Sequence, residues 1–249
     1  MWELGLGAAG LSLPAYRGSA ERSDYLLPIP YIVYRGELLK ADRDGARAIL
    51  FDSDRIEVDL SLSGSVPVRD ESQGRRAGME RLPGTVEIGP NLNITLWRSA
   101  LRSARLDLRL PVREAITLES SPRAIGAVFA PNLNLDLSDW AAGWNAGFLA
   151  GPLIQSRSYN QHYYGVGTGD ATAGRPAYHA SGGYAGWQAV ASTSRRYKDF
   201  WLGAFVRYDS LRGAVFADSP LIERSSGFGV GVALAWVLAT SQQMVMVDE

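Results

Sequence analysis

Two short motifs hold the residues whose types and spacing could do chemistry, and the first is a glycine pattern. Gly5, Gly7 and Gly10 have the G-x-G-x-x-G spacing that cradles a dinucleotide pyrophosphate in a Rossmann fold. That site needs a buried strand before the glycines and a helix after them, but only four residues precede Gly5 and Pro14 follows closely. Alternation along residues 2–8 predicts instead a strand with small residues on one face. We therefore expect no nucleotide cofactor.

The second motif is the pair of histidines, His162 and His179, which lie beside the longest predicted loop. A histidine working with a serine or an acid could serve a hydrolase. No G-x-S-x-G nucleophile elbow accompanies the histidines, and Asp170 and Asp218 lack the spacing of a calcium-binding loop. The sequence favours surface histidines among tyrosines, with no catalytic residue and no metal site.

The composition argues against several classes of function. The chain has 25 Lys and Arg against 26 Asp and Glu, and the basic residues form no patch, so nucleic acid is not an expected partner. Cysteine is absent, which removes disulfides, thiolate metal sites and cysteine nucleophiles. No apolar run reaches the roughly 18 residues of a transmembrane helix.

The elements that position these residues are predicted to be strands. In RIEVDLSLSGSV, Ile56, Val58 and Leu60 alternate with Glu57 and Asp59. The same period recurs in TVEIGPNLNITLW, ARLDLRLPVR, FAPNLNLDL and GFGVGVALAWVL, and no segment has convincing helical spacing. The prediction is one all-β domain over 1–249, with a tail after about 240. About twelve strands are expected, near 2–14, 25–34, 37–41, 46–52, 54–66, 84–98, 103–118, 121–137, 143–157, 177–195, 199–213 and 226–240.

The lengths of the connections favour a membrane barrel. Alternation alone fits a soluble barrel or sandwich with its apolar face inward, or an outer-membrane barrel with that face toward lipid. Outer-membrane barrels join their strands by short periplasmic turns and long outer loops. The predicted gaps are short near 35–37, 52–54, 98–103, 137–143 and 195–199, and mostly long near 15–25, 66–84, 155–177 and 212–226. The 41–46 gap, DRDG, is a short exception in the long set. The sequence thus predicts a single antiparallel transmembrane β-barrel in the cell outer membrane.

Aromatic residues collect at the predicted strand ends, as they do in the two girdles of a membrane barrel. Those predicted for the outer girdle are tyrosines: Tyr16, Tyr25, Tyr159, Tyr163, Tyr164 and Tyr178. Those predicted for the periplasmic interface are tryptophans: Trp2, Trp97, Trp140, Trp144, Trp201 and Trp236.

Charged residues of both signs occupy the polar face of the strands. An arginine on the lipid face costs about 2–4 kcal/mol at the membrane midplane, so these side chains should point into the lumen. In a soluble barrel they would instead form a solvated outer face. The candidate lumen-lining residues are Arg55, Glu57, Asp59, Glu87, Arg105, Asp107, Arg109, Arg113, Asp136, Arg207 and Asp209. The arginines of the 66–84 segment, Arg75, Arg76 and Arg81, are interpreted as part of a solvated loop rather than a site for lipopolysaccharide phosphates.

Five segments spread over nearly the whole chain occur in the order typical of one family. They are PIPYIVYRG (28–36), GMERLPGTVEIGPNL (78–92), AGPLIQSRSYNQHYYGV (150–166), GRPAYHASGGYAG (174–186) and DSPLIERSSGFGVGVALAW (218–236). Through them the sequence resembles the MipA/OmpV family, the MltA-interacting proteins of Gram-negative outer membranes. The resemblance implies a barrel in outer-membrane lipid, without catalytic residues, that brings a lytic transglycosylase and a murein synthase together. One departure is that SQQMVMVDE follows the last predicted strand, whereas such barrels usually end on an aromatic residue.

Two other hypotheses about function stay open. A channel or small-solute transporter is one, because about twelve strands lie between the roughly eight that side chains fill and the roughly sixteen that enclose an aqueous channel. An outer-membrane hydrolase that uses His162 or His179 is the other.

Overall fold

The computed structural model describes residues 2–36, 38–42, 45–68, 74–101 and 103–241. Its strands are β1 (Trp2–Pro14), β2 (Arg22–Arg35), β3 (Leu39–Asp42), β4 (Gly45–Asp52), β5 (Ile56–Ser65), β6 (Thr85–Arg98), β7 (Ala104–Thr117), β8 (Ala124–Phe129), β9 (Asn132–Ala141), β10 (Trp144–Gln155), β11 (Gly183–Arg196), β12 (Phe200–Ser210) and β13 (Ser226–Thr240). One α-helix, α1 (Arg157–Tyr164), and a short 3-10 helix (Thr168–Asp170) lie between β10 and β11. Neither helix of this described part has the length and apolar character needed to cross a bilayer.

The strands form one closed antiparallel sheet. Apart from β8 and β9, each pairs with its neighbours in the chain, and β13 returns to β1, with Glu3 opposite Thr240 and Ser12 opposite Val230. β8 and β9 are one strand interrupted at residues 130–131, because both pair with β7 and with β10. The thirteen described strands therefore occupy twelve positions around a barrel, which confirms the predicted all-β fold.

The expectation that the chain has no helix is wrong at α1. Residues 157–164, RSYNQHYY, lack apolar helical spacing, and the predicted strands 143–157 and 177–195 bordered this segment. Ser156 caps the helix, since its side chain accepts a hydrogen bond from the backbone N–H of Tyr159. The helix depends on tertiary packing rather than on its own sequence, as short helices generally do.

The two faces of the sheet differ in polarity. Large apolar side chains such as Leu6, Leu26 and Val232 are exposed on the outer face, whereas Asp59, Asp107 and Asp209 are buried on the inner face. An outward apolar band around a polar interior is the pattern of a barrel surrounded by lipid. The connections at one end, including 53–55 and 197–199, are all short, and the long connections lie at the other end, together with the short connection between β3 and β4; we call these the periplasmic and outer ends.

The glycine motif packs the seam where the first and last strands meet. A Cβ atom on Gly5 would collide with the carbonyl oxygen of Trp236, and one on Gly7 would lie 2.7 Å from the Cβ of Ala235. Glycine is therefore required for the close approach of β1 and β13. These glycines are not followed by the helix that a Rossmann dinucleotide site requires, because β1 continues as a strand to Pro14.

The tryptophans at the periplasmic end have two different roles. Trp2, Trp97 and Trp236 are exposed on the outer face, Trp140 is exposed, and Trp144 lies beneath the guanidinium of Arg195 at 6.0 Å. The assignment of Trp201 to the membrane interface is wrong. Its ring lines the lumen and lies 6.0 Å from the ring of Tyr31.

The long connections fold into a cap over the outer end of the barrel. Its apolar core joins side chains from four of these connections and from the adjoining strand ends: Tyr16, Val68, Leu82, Leu153, Tyr164, Val166, Ala180, Ala185, Leu211, Ala214, Phe216 and Leu221. Tyr164 and Phe216 stack with their ring centroids 3.8 Å apart. The predicted outer girdle of tyrosines is therefore wrong for Tyr16 and Tyr164, which are buried in the cap rather than exposed to lipid. It is also wrong for Tyr25, Tyr159 and Tyr163, which line the lumen.

Candidate functional site

The lumen is a cavity of about 1890 Å³ that runs from the periplasmic rim to the underside of the cap. At the rim it is lined by the turn of residues 53–55, and at its inner end by Tyr159, Tyr163 and Tyr164. All of the charged residues considered for the lumen lie on its wall: Arg55, Glu57, Asp59, Glu87, Arg105, Asp107, Arg109, Arg113, Asp136, Arg207 and Asp209. Arg55 is at the rim, in the turn before β5, and its side chain is exposed.

Four of these residues form a ladder of ion pairs on β7 and β9. Arg105 lies 2.8 Å from Asp107 and 3.6 Å from Asp136, and Arg109 lies 3.8 Å and 3.4 Å from the same carboxylates. The amide of Asn134 donates to Asp136 at 2.7 Å. Because each carboxylate is shared by two guanidiniums, the charges compensate one another inside the barrel.

A second polar cluster lies on β5 and β6. The side-chain amides of Asn91 and Asn93 donate to the same oxygen of Asp59, at 3.0 Å and 2.7 Å. Arg47 of β4 lies 3.3 Å from Glu57. The two amides thus supply hydrogen bonds to a carboxylate that is buried away from bulk water.

Polar contacts also join the cap to the wall. Arg17, in the connection after β1, pairs with Asp209 at 2.9 Å, and Arg207 pairs with the other oxygen of that carboxylate at 2.8 Å. The hydroxyl of Tyr164 donates to the backbone carbonyl of Arg17 at 3.1 Å. Arg76 is buried and donates to the backbone carbonyl of Tyr163 at 3.0 Å. The interpretation of the 66–84 arginines as purely solvated is therefore wrong for Arg76.

Burial in the cap changes the acidity of its tyrosines. Desolvation raises the pKa of Tyr16 to about 12 and raises the pKa values of Tyr159 and Tyr164 well above the usual range. These phenols therefore stay protonated at neutral pH and act as hydrogen-bond donors.

Apolar and aromatic side chains on one side of the lumen were not predicted from the sequence. Leu11 and Leu13 of β1, Tyr31 of β2, and Trp201 and Phe205 of β12 all line the cavity. The signals are visible in the sequence. The run YLLPIPYIVY is apolar on both faces of β2, and Trp201 and Phe205 have the same parity as the inward residues of β12.

The two histidines do not form a catalytic arrangement. His162 is half-buried on α1, and its Nε2 has no hydrogen-bond partner among the described residues. Burial lowers the pKa of His162, and the positive charges of Arg76 and Arg123 lower it further. His179 is exposed. In the described ranges, neither imidazole is hydrogen-bonded to a serine hydroxyl.

Comparisons with known proteins place the chain among outer-membrane proteins. Residues 6–238 match the family described as "MltA-interacting protein MipA". The outer membrane protein OmpV of Vibrio cholerae serotype O1 is 26% identical over 209 residues, covering 82% of this chain and 75% of that protein. The outer membrane protein Omp26La of Vibrio anguillarum is 25% identical with the same coverage.

Two solved structures are also similar to the chain. A NanC porin has a TM-score of 0.42 at 9% identity, covering 94% of this chain and all of its own. A bacterial polysaccharide outer membrane secretin has a TM-score of 0.45 at 10% identity, covering 96% of this chain and 99% of its own.

Proposed function

We propose that this chain, which belongs to the family of the MltA-interacting protein MipA, is a scaffold whose periplasmic end recruits enzymes of murein metabolism. It is an outer-membrane β-barrel protein, which confirms the family and the location predicted from its sequence. The proposed first partner is a lytic transglycosylase, in keeping with the family description, and the proposed second partner is a murein synthase.

The observation that carries this proposal is the contrast between the two ends of the barrel. Buried apolar side chains of the long connections form the core of the cap at the outer end, where Leu118 is exposed, whereas the periplasmic turns present two leucines that are more exposed than Leu118. Leu101, in the turn between β6 and β7, is 90% exposed, and Leu38, between β2 and β3, is 73% exposed. Exposed apolar side chains beyond the girdle of tryptophans suit a protein-binding surface.

A capture experiment with matched leucine variants tests this function. The protein in detergent is used to capture a purified lytic transglycosylase, with Leu101→Asp and Leu118→Asp as variants. Leu118 is also an exposed leucine, at 63%, but it lies at the outer end. We expect Leu101→Asp to reduce capture at least tenfold and Leu118→Asp to leave it unchanged. A wild-type protein that captures neither murein enzyme would contradict the proposal.

A channel is the second candidate, favoured by the charged wall that extends from Arg105 near the periplasmic end to Asp209 beneath the cap. Conductance would require the cap to open. Planar-bilayer recordings of the wild type and of a variant with residues 158–181 replaced by a short Gly-Ser linker test it. Conductance in neither protein would eliminate the channel.

We propose no catalytic role, since Nε2 of His162 has no hydrogen-bond partner among the described residues. The test is to measure lipid and peptide hydrolysis by the wild type and by the double variant with His162→Ala and His179→Ala. Hydrolysis by the wild type that is lost in this variant would restore the hydrolase hypothesis.

A further inference from the structure

Two aromatic rings meet on the inner wall near the periplasmic end of the barrel. Tyr31 of β2 and Trp201 of β12 both line the lumen, and their ring centroids are 6.0 Å apart. Their strands lie three positions apart around the barrel, with β13 and β1 between them. The two rings therefore extend toward each other across two strands. We call Tyr31 and Trp201 the aromatic pair.

Small inward residues make room for the aromatic pair. Trp201 is opposite Ala235 of β13, which is itself opposite Gly7 of β1. Tyr31 is opposite Gly5 of β1. Because none of these inward residues has a side chain beyond Cβ, the two rings can lie over β13 and β1. Ala235 is fully buried, in keeping with this cover.

The indole of Trp201 lies along the wall rather than across the lumen. A Cβ on Gly203, two residues further along β12, would collide with Cη2 of the indole and lie 2.6 Å from Cζ2. The six-membered ring thus occupies the space of the side chain that Gly203 lacks. Trp201 is still partly exposed and lines the cavity, so part of its ring surface is available to a ligand.

Hydrogen-bonding groups lie at the edge of the aromatic pair. The hydroxyl of Tyr31 donates to Oε2 of Glu3 at 3.0 Å, and Nε of Arg196 donates to the same oxygen at 3.2 Å. Both hydrogen bonds use Oε2, so Oε1 of Glu3 can accept one from a ligand. Ser194 of β11 also lines the lumen. The charges of Glu3 and Arg196 compensate each other, which favours a neutral ligand over an ion.

The wall on the far side of the lumen is polar. β7 lies six of the twelve positions away from β1 and carries Arg105, Asp107 and Arg109. In that ladder, each carboxylate is shared by two guanidiniums. A purely apolar ligand would leave such groups without hydrogen bonds from water, which is costly. The ligand that suits this end of the lumen is therefore neutral, with an apolar face and polar edges.

We propose that the aromatic pair is a saccharide-binding site at the periplasmic end of the lumen. The faces of a pyranose ring carry C–H groups, whose slightly positive hydrogens are attracted to the negative face of an aromatic ring. The hydroxyls at its edge donate and accept hydrogen bonds. The sugar stacks on Trp201, and its hydroxyls bind Glu3 and Arg196.

The size of the lumen suits a ligand of several linked sugar rings. Its volume of about 1890 Å³ exceeds the roughly 300–1,000 Å³ of an ordinary small-molecule site. This inference does not depend on the scaffold function, because it concerns the lumen and not the exposed leucines of the turns.

Saturation-transfer NMR on the wild-type protein in nanodiscs tests the proposal. The probes are chitotetraose and maltotetraose, and sorbitol is the control, since it has hydroxyls but no ring. We expect saturable transfer to at least one tetrasaccharide, strongest at the C–H protons on one face of a sugar ring, and none to sorbitol. The stronger ligand distinguishes the source, which is a β-linked amino-sugar glycan for chitotetraose and an α-linked glucan for maltotetraose.

A matched set of tryptophan variants tests the location of the site. Trp201→Ala removes the indole from the lumen, whereas Trp236→Ala removes an exposed indole from the outer face near the same end. The affinity for the tetrasaccharide should fall at least tenfold in Trp201→Ala and stay near wild type in Trp236→Ala, with both variants heat-modifiable on a gel. Trp201→Phe, which keeps a smaller ring, should retain an intermediate affinity.

Three results would overturn the proposal. They are no transfer to either tetrasaccharide, transfer spread evenly over both faces of the sugar rings, and an affinity that a folded Trp201→Ala leaves unchanged. The first two results need no variant, so a misfolded Trp201→Ala does not protect the proposal.

Discussion

The hydroxyl of Tyr159 donates a hydrogen bond of 3.2 Å to Oε1 of Glu87, and this contact joins the cap to the inner wall of the barrel. Tyr159 is the third residue of α1, and Glu87 is an inward residue of β6. The contact makes the position of the cap dependent on a charge in the lumen.

Removing this hydroxyl should loosen the cap. Tyr159→Phe leaves Glu87 without its phenol donor, and loss of a hydrogen bond to a charged group costs about 1.5–3 kcal/mol. We expect faster amide hydrogen exchange across residues 157–166 with an unchanged barrel. Tyr197→Phe, in a periplasmic turn, is the control. Unchanged exchange in Tyr159→Phe would show that the hydroxyl does not hold the cap.

The apolar core of the cap should be needed to keep the outer end closed. Phe216 is fully buried and stacks on Tyr164, and truncating such a residue to alanine costs about 3–5 kcal/mol. We expect Phe216→Ala to make residues 211–225 sensitive to protease and to raise single-channel conductance. Phe228→Ala, which removes an exposed ring from the outer face, should change neither. Protease resistance equal to wild type would contradict this prediction.

Closure of the barrel should depend on Gly7 and not on Gly10. An alanine Cβ at position 7 would lie 2.7 Å from the Cβ of Ala235, whereas one at position 10 would lie 3.8 Å from the nearest atom of Val232. We expect Gly7→Ala to lose most of the fast-migrating unheated band on a gel and Gly10→Ala to retain it. Equal folding of the two variants would show that the seam can relax.

The cap should loosen at mildly acidic pH. Burial lowers the pKa of His162 below its ordinary value of about 6.5. An opened cap therefore binds a proton before the closed one, and stability is lost as pH falls through about 6.5 toward the lower folded value. Arg76 and Arg123 add to this cost, and Glu80 and Glu119 oppose it.

Hydrogen exchange of α1 at pH 7.5 and 5.5, corrected for the intrinsic rate, measures this effect. The acid-induced increase should vanish in His162→Gln and persist in His179→Gln. An increase of the same size in His162→Gln would assign the pH dependence to another group.

The wall of the barrel could be predicted from the sequence and the cap could not. The period of two in RIEVDLSLSGSV assigns Glu57 and Asp59 to one face, because backbone geometry alone determines it. The apolar cap residues, such as Leu82 and Phe216, follow no period, because they belong to irregular connections that meet only in three dimensions. Contacts between loops that are far apart in the chain leave no pattern in the local sequence from which they could be predicted.

Within the site, the alternation of residues along a strand predicts side-chain orientation more reliably than the position of a residue near a strand end. Trp201 was assigned to the membrane interface because it lies at a strand end, although its parity matches that of Arg207 and Asp209. Its inward orientation follows from the alternation that placed those charges in the lumen.

The pairing of β1 with β13 has a consequence for the order of assembly. Residues 3–12 find their partners at 230–240, so this contact is among the least local that the chain can form. Contacts of this kind slow folding because the entropy of a long loop is lost before the pairing stabilises it. Until β13 folds, the incomplete sheet has two unpaired edges. The glycine-lined edge of β1 has no partner until the last hairpin, β12 and β13, forms. A folding catalyst that shields β1 during this interval would therefore act on a slow, non-local step.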